Sequence, residues 1–334
     1  MVGFGYWGEN LCRNASAAAT TRLAGIADPS GPRRESAALA YPDVAVHDSV
    51  EKLLRDDAVE AVIVATPAAT HRDVAIESLS EGRHVLVEKP LATSLAAARE
   101  IVAAGVVADR TVMVGHTFLF APAVTWLKKF IDAGELGQLR YVYSQRLSLG
   151  RIRADCSALW NFAPHDLSII THLIGEYPVE VSGRAFEFLQ DGIADIAFAT
   201  MSFASGAAAA VHVSWLDPRK TRLVAIVGDR KMAIYDDTSA DRKIEIVDAG
   251  AERAPSEGYA SFGEFQWKTR QGDIFVPRIP YGEPLRAEIT AFGAACQGGS
   301  PQPSDGVHGV EIVQILEAID RSIGAAGASV PIPR

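Results

Sequence analysis

Cysteine is scarce. Cys12, Cys156 and Cys296 are the three thiols of 334 residues, odd in number and without C-x-x-C spacing. That excludes a disulfide framework or a structural zinc knuckle and predicts reduced thiols in a cytoplasmic protein. Long hydrophobic runs are missing as well. No apolar stretch approaches the ~18 residues that cross a bilayer, and no signal peptide precedes the first Gly-rich turn, so a membrane partner is not expected. Positive charge is outweighed, with a net charge of −9, which argues against nucleic acid or an anionic membrane surface. There is no G-x-S-x-G, no P-loop, no internal repeat and no His/Cys/carboxylate set with ligand spacing, so no metal is expected.

What remains is a chain in which 48% of residues are apolar, long enough for two cores. Its opening is distinctive. Gly3, Gly5 and Gly8 form G-x-G-x-x-G through Val2-Gly3-Phe4-Gly5-Tyr6-Trp7-Gly8, and Asp28 follows twenty positions later at the end of the apolar run Leu23–Ala27. In a dinucleotide-binding unit the first glycine makes the tight turn. The second admits a pyrophosphate, and the third lets the helix pack on the strand. The phosphates then rest on unpaired N–H groups at a helix N-terminus. A carboxylate at Asp28 accepts from a ribose 2′-OH and repels a 2′-phosphate, so NAD is expected and NADP disfavoured. Only Met1 and Val2 precede Gly3, so either the first strand is a stub or the native chain starts upstream.

Through about residue 118 short β-branched runs alternate with helix-like segments. The strands expected are Leu23–Ala27, Val44–Val46, Ala61–Ala65, His84–Val87 and Val112–Val114. The helices are Trp7–Thr20, Gly31–Ala40, Ser49–Arg55, Thr70–Ser80 and Ser94–Ala108. This alternation predicts an α/β Rossmann domain over 1–118, with ligand loops at the carboxyl ends of its strands. Past residue 119 the pattern becomes helix (Pro122–Ala133), strand (Leu139–Leu149), helix (Pro164–Ile174), then consecutive strands between Val179 and Val247. Asp248–Gln271 reads as irregular, and Glu283–Gln297 and Gly306–Ile323 as helices. Consecutive strands predict an α+β domain over 119–334, built on a large, mostly antiparallel open-faced sheet whose bare face suits a subunit partner.

Several residues could carry chemistry. Glu88-Lys89-Pro90 follows the strand His84–Val87, placing Lys89 where an ammonium can bond a substrate hydroxyl or, desolvated, exchange a proton. Thr66-Pro67 should border the cofactor. His71 either lines the nicotinamide side or packs and caps, and His116 either joins the site or ends its strand. Asn161 and His165 fall at or just before the first turn of Pro164–Ile174, with Asp166 as a capping or substrate-facing acid. An imidazole there can shuttle a proton. Arg146, Arg151 and Arg153 cluster in an acidic chain, either to grip a substrate anion or to pair with Asp155.

These residues resemble the glucose–fructose oxidoreductase / inositol dehydrogenase / MocA family over nearly the whole length. The opening glycine stretch, Ala65-Thr66-Pro67 with His71, and above all Gly82-Arg83-His84-Val85-Leu86-Val87-Glu88-Lys89-Pro90 carry the likeness. Gly115-His116-Thr117-Phe118, Trp160–Ile169, Ser214–Pro218 and Glu283-Pro284-Leu285 look like the branch of bacterial sugar and nucleotide-sugar 3-dehydrogenases. The resemblance implies an NAD-dependent dehydrogenase, dimeric or tetrameric through its sheets, that oxidises a secondary hydroxyl of a sugar, at C3. It implies cofactor contacts at Gly3, Phe4, Gly5, Tyr6, Trp7, Gly8, Asp28, Thr66, Pro67, His71, Glu88, Lys89 and His116. Substrate contacts are expected at Lys89, His116, Arg146, Arg153, Asn161, His165 and Asp166, with Lys89, His165 and Asn161 catalytic. The family's Asp-x-x-x-His pair falls on Asn161 and His165, so here the acid is an amide that cannot take a proton. Rival expectations are an NAD-dependent glycosidase using transient oxidation, a ketosugar reductase, and an NAD-binding sensor without turnover.

Overall fold

The computed structural model describes residues 1–253, 267–300 and 302–333. In chain order its elements begin with α1 (Tyr6–Ala17), β1 (Gly25–Ala27), α2 (Gly31–Ala40), β2 (Ala45–His47), α3 (Val50–Leu54), β3 (Ala61–Val64), α4 (His71–Ser80), β4 (His84–Val87), α5 (Leu95–Ala108) and β5 (Val112–Val114). Then come α6 (Pro122–Asp132), β6 (Leu139–Leu147), α7 (Ala158–Ile174), β7 (Glu180–Phe186), β8 (Ile196–Ser202), β9 (Ala208–Ser214), β10 (Thr221–Gly228), β11 (Met232–Asp236) and β12 (Ile244–Val247). The chain closes with β13 (Gly250–Arg253), β14 (Trp267–Arg270), β15 (Ile274–Phe275), α8 (Pro284–Cys296), α9 (Gly306–Gly324) and β16 (Val330–Pro331). Among the described residues no helix is long and apolar enough to cross a membrane.

The residues form two compact units, Met1–Ala121 with Gly282–Glu317, and Pro122–Tyr281 with Ala318–Arg334. In the first, β1 pairs β2 in parallel and β3, β4 and β5 pair in parallel. Val2 closes the gap between the two sets by bridging Ala27 on one side and Val64 on the other. Its N–H donates to Ile63 O at 2.9 Å and its carbonyl accepts from Ala65 N at 2.8 Å. Met1 and Val2 are thus hydrogen-bonded along both edges, Ala27 N donating to Met1 O on the β1 side. Helices α3 and α5 start where side chains cap them, Ser49 accepting from Lys52 N and Ser94 from Ala97 N. Residues 282–317 fall in this unit although the sequence groups them with what precedes them. Leu285, Ile289 and Phe292 of α8 join a core with Phe4, Leu11, Cys12, Ile26 and Ile63. Burying each such side chain is worth about 1.5–3 kcal/mol, a gain that sequence order does not reveal.

The second unit is built on a nine-stranded sheet, in the order β15-β12-β11-β10-β6-β9-β8-β7-β16. Its pairings are antiparallel except β6 with β9, which run parallel. Alternation divides its faces. Val181, Ala197, Ala199, Met201, Ala209, Val211, Val213 and Val142 are buried, whereas Phe186, Phe198 and Tyr141 are exposed. Two expectations change here. The stretch Asp248–Gln271 contains paired strands, β13 and β14, at its described ends, and its residues 254–266 lie outside the described residues. Helix α7 starts at Ala158, six residues before Pro164. Ser157 caps it by accepting from Trp160 N, and the added turn buries Ala158 and Leu159. A proline that reads as a helix start thus sits inside, where it lacks the N–H that would meet Trp160 O.

Candidate active site

The glycine turn has the shape its spacing predicts. Gly3 holds φ +93°, and a Cβ on it would stand 2.6 Å from Ala65 O. A Cβ on Gly8 would collide with the carbonyl of Gly3, so glycine alone lets α1 approach the turn so closely. Gly5 differs, since its Cβ direction meets only the Arg33 guanidinium at 3.8 Å. Gly5 also caps α1 without a side-chain bond, which leaves first-turn N–H groups to water or an anion. This cradle fits a dinucleotide pyrophosphate. Asp28 is 1% exposed; its carboxylate accepts from Phe4 N and from Ser30 N, both at 2.8 Å, and Arg33 Nη1 stands 3.6 Å away. The acid therefore fixes the glycine turn to the tip of β1, and its remaining lone pairs are what a ribose hydroxyl would use.

The turn after β4 carries Glu88 and Lys89. Trp7 Nε1 donates to Glu88 Oε1 at 2.5 Å, and Lys89 N donates to Glu88 Oε2 at 3.2 Å. Gly115 makes room, since a Cβ there would stand 3.0 Å from that carboxyl. Burial pushes Glu88 up to about 6, against the pull of the Trp7 bond and the Lys89 charge. The Lys89–Pro90 peptide is cis. His71 follows the packing alternative. It is 1% exposed, with Nδ1 2.9 Å from Pro90 O and Nε2 3.0 Å from Thr66 O. The ring is thus buried and bridges the two loops. Thr70, at the N-cap of α4, makes no side-chain cap bond and donates its hydroxyl toward Thr66 Oγ1 and Pro67 O, each at 2.8 Å.

His116 is also 1% exposed and stacks edge-on against His308, with centroids 5.0 Å apart. Burial, then the neighbouring His308 and Lys89, hold its imidazole well below the usual range, so it is neutral near pH 7. Beside it on the same turn, Thr117 Oγ1 donates to Glu288 Oε2 at 2.8 Å. Glu288 is fully buried; burial first, and the Glu88 charge second, push its carboxyl well above the ordinary value. Glu288 and His308 were invisible to sequence reasoning. They stand on α8 and α9, far along the chain, and no local motif marks them.

In the second unit, Asn161 and His165 stand one helical turn apart on α7, hence on one face, and both are partly buried. Asn161 closes the first turn of the helix, its N–H donating to Ser157 O at 3.0 Å, and His165 lies one turn further in. Asp166 is consequently no cap. It is 1% exposed and accepts from Arg146 Nε at 2.6 Å and from Arg146 Nη2 at 3.4 Å. Arg146 reaches it from the buried face of β6, whose alternation turns that side chain toward the helix layer. Arg153 pairs with Asp155 at 2.8 and 2.5 Å. Arg153 thus makes the pair with Asp155 that the sequence offered as one alternative, while Arg146 pairs with Asp166 instead.

Residues 1–116 match the family model described as the oxidoreductase family with an NAD-binding Rossmann fold. Residues 124–234 match that of the GFO/IDH/MocA C-terminal domain. The inositol 2-dehydrogenase of Rhizobium meliloti (strain 1021) is 26% identical over 336 residues, spanning 97% of this chain and 96% of its own. The scyllo-inositol 2-dehydrogenase (NAD(+)) of Bacillus subtilis (strain 168) is 29% identical over 264 residues, 73% of each chain. The solved structure of UDP-N-acetylglucosamine 3-dehydrogenase GnnA from Acidithiobacillus ferrooxidans is similar in fold, with a TM-score of 0.79 at 24% identity, covering 97% of this chain and 96% of that one. With its glycine cradle, its Glu88-Lys89-Pro90 turn and these matches, the chain belongs to the Gfo/Idh/MocA family of NAD-dependent oxidoreductases.

Proposed function

We propose that the protein oxidises a secondary hydroxyl of a pyranose sugar, at C3, the sugar being nucleotide-linked or part of an amino-sugar glycoside. The observation that carries this reading is the Lys89 turn. It stands at the carboxyl end of β4, where open parallel sheets bind ligands, in a unit whose glycine turn is cut for a dinucleotide. NAD, when bound, supplies the hydride acceptor, held by the Gly3–Gly8 turn and by Asp28. The chain supplies the rest. The Lys89 ammonium donates to the hydroxyl oxygen and favours its ionisation. His165 takes the hydroxyl proton, and Asn161, an amide, orients the hydroxyl without titrating. The relatives' names, inositol dehydrogenases and a nucleotide-sugar 3-dehydrogenase, support a cyclic polyol of this kind. With Arg146 and Arg153 engaged by Asp166 and Asp155, an anionic group on the sugar draws no support from them.

The test is Lys89→Ala, with an NADH-absorbance screen across UDP-sugars, uronates and aminoglycosides. Removing one acid–base group costs about 10²–10⁴-fold in rate. NAD binding should persist while turnover falls by that factor. Near-normal turnover in the variant would overturn the scheme.

We further propose that the bare sheet face of the second unit is covered by a second copy of the chain, giving a homodimer or homotetramer. Phe198 stacks on His212 at 4.3 Å on this face, beside exposed Phe186 and Tyr141. An apolar sheet face of this kind is an association surface.

A further inference from the structure

His71 presents an arithmetic of donors. Its two ring nitrogens lie 2.9 Å from Pro90 O and 3.0 Å from Thr66 O, and both partners are carbonyl acceptors. These carbonyls belong to two different loops, one leaving the carboxyl end of β3, the other leaving that of β4 just past Lys89. A neutral imidazole has one N–H and can satisfy one of them; two N–H groups are needed to hold both. The side chain is 1% exposed. Burial, aided by the Lys89 charge, outweighs the backbone groups of Pro90, Thr66 and Leu91 and holds the imidazole below its ordinary value, so the neutral ring donates to one carbonyl and sets its other nitrogen against the second. Lys89 is the charged group that bears on the ring from outside α4.

The geometry points to His71 as a positioning residue that clamps the Lys89–Pro90 turn to the Thr66–Pro67 loop and so holds the Lys89 ammonium in place, without itself touching cofactor or substrate. This rests on the role proposed for Lys89. Because the ring sits behind the loops, it acts on the turn through backbone carbonyls. Losing it should leave NAD affinity nearly intact while Lys89 loses its fixed address.

The experiment compares His71→Ala, His71→Gln and Leu79→Ala in the full chain with NAD⁺ bound. Leu79, fully buried on the same helix, controls for simple destabilisation. Deuterium exchange of the peptide spanning 84–94 should quicken about tenfold in His71→Ala, since the turn opens locally. In Leu79→Ala it should rise no more than in the rest of the unit. His71→Gln, with an amide that can donate to one carbonyl, should fall between. It carries the test if His71→Ala does not fold. With the sugar found in the screen, kcat should fall at least about tenfold, the scale of a misplaced catalytic group, while KM for NAD changes little. Unchanged exchange at 84–94, or a kcat loss no larger than that of Leu79→Ala, would overturn the proposal. If Lys89→Ala itself keeps its turnover, the dehydrogenase scheme fails instead, and the exchange result still reports on the clamp.

Discussion

The buried pair of Arg146 and Asp166 gives the sharpest quantitative expectation. The side chains are 7% and 1% exposed and meet at 2.6 Å, between the inner face of β6 and the middle of α7. Truncating Arg146→Met leaves the Asp166 carboxyl buried without its hydrogen-bonded counter-charge, with Arg222 the cation still bearing on it. Breaking such a pair from one side costs about 3–5 kcal/mol, whereas replacing both partners by apolar groups is often neutral or better. The single variant should therefore melt roughly 6–20 °C lower, at about 2–4 °C per kcal/mol for a unit of this size. Arg146→Met with Asp166→Leu should cost less than Arg146→Met alone. The assay is thermal and urea unfolding of the four members of the cycle, followed by tryptophan fluorescence, since Trp160 and Trp215 both lie in this unit. A double variant as costly as the two single ones added together would refute the reasoning, because the two groups would then be energetically independent.

Two further outcomes are expected. Glu88 sits at about 6 against an ordinary 4.5, so the folded chain holds that proton more tightly than the unfolded one. Its contribution is fullest below about pH 4.5 and is lost as pH rises through about 6, a swing of roughly 2 kcal/mol. Glu88→Gln should thus gain stability relative to the parent chain as pH rises from 4.5 to 7, read from urea midpoints; a pH-independent offset would contradict the burial. Phe198→Asp, on the bare sheet face, should convert the proposed oligomer to monomer in light scattering at micromolar concentration without loss of far-ultraviolet dichroism. A parent chain that is already monomeric there would remove the proposed partner.

Local chemistry made much of this protein legible in its sequence. The glycine spacing specified a turn that only residues without Cβ can make, and Gly3 and Gly8 are indeed hemmed in by carbonyls. Apolar runs bounded by turn residues located β4 and β5 at His84–Val87 and Val112–Val114, and α2 at Gly31–Ala40. Lys89 was singled out by its place after the strand His84–Val87, and Asn161 with His165 by their place beside Pro164; their roles remain the proposal made above. The start of α7 was misplaced because proline is a strong local signal, whereas burial of Leu159 is a nonlocal one.

Tertiary structure decided whatever depended on a distant partner. Val2 serves as a strand because Ala27 and Val64 flank it. His71 is a buried bridge because Pro90 and Thr66 carbonyls converge on it, and Asp166 is an ion-pair partner because β6 turns Arg146 toward α7. Glu288 joins the polar cluster beside His116 only because α8 folds back onto α1 and the turn after β5. Sequence pattern fixes backbone conformation through neighbours a few positions apart. The protonation and pairing of a side chain are set by solvent exclusion and by charges that folding brings close.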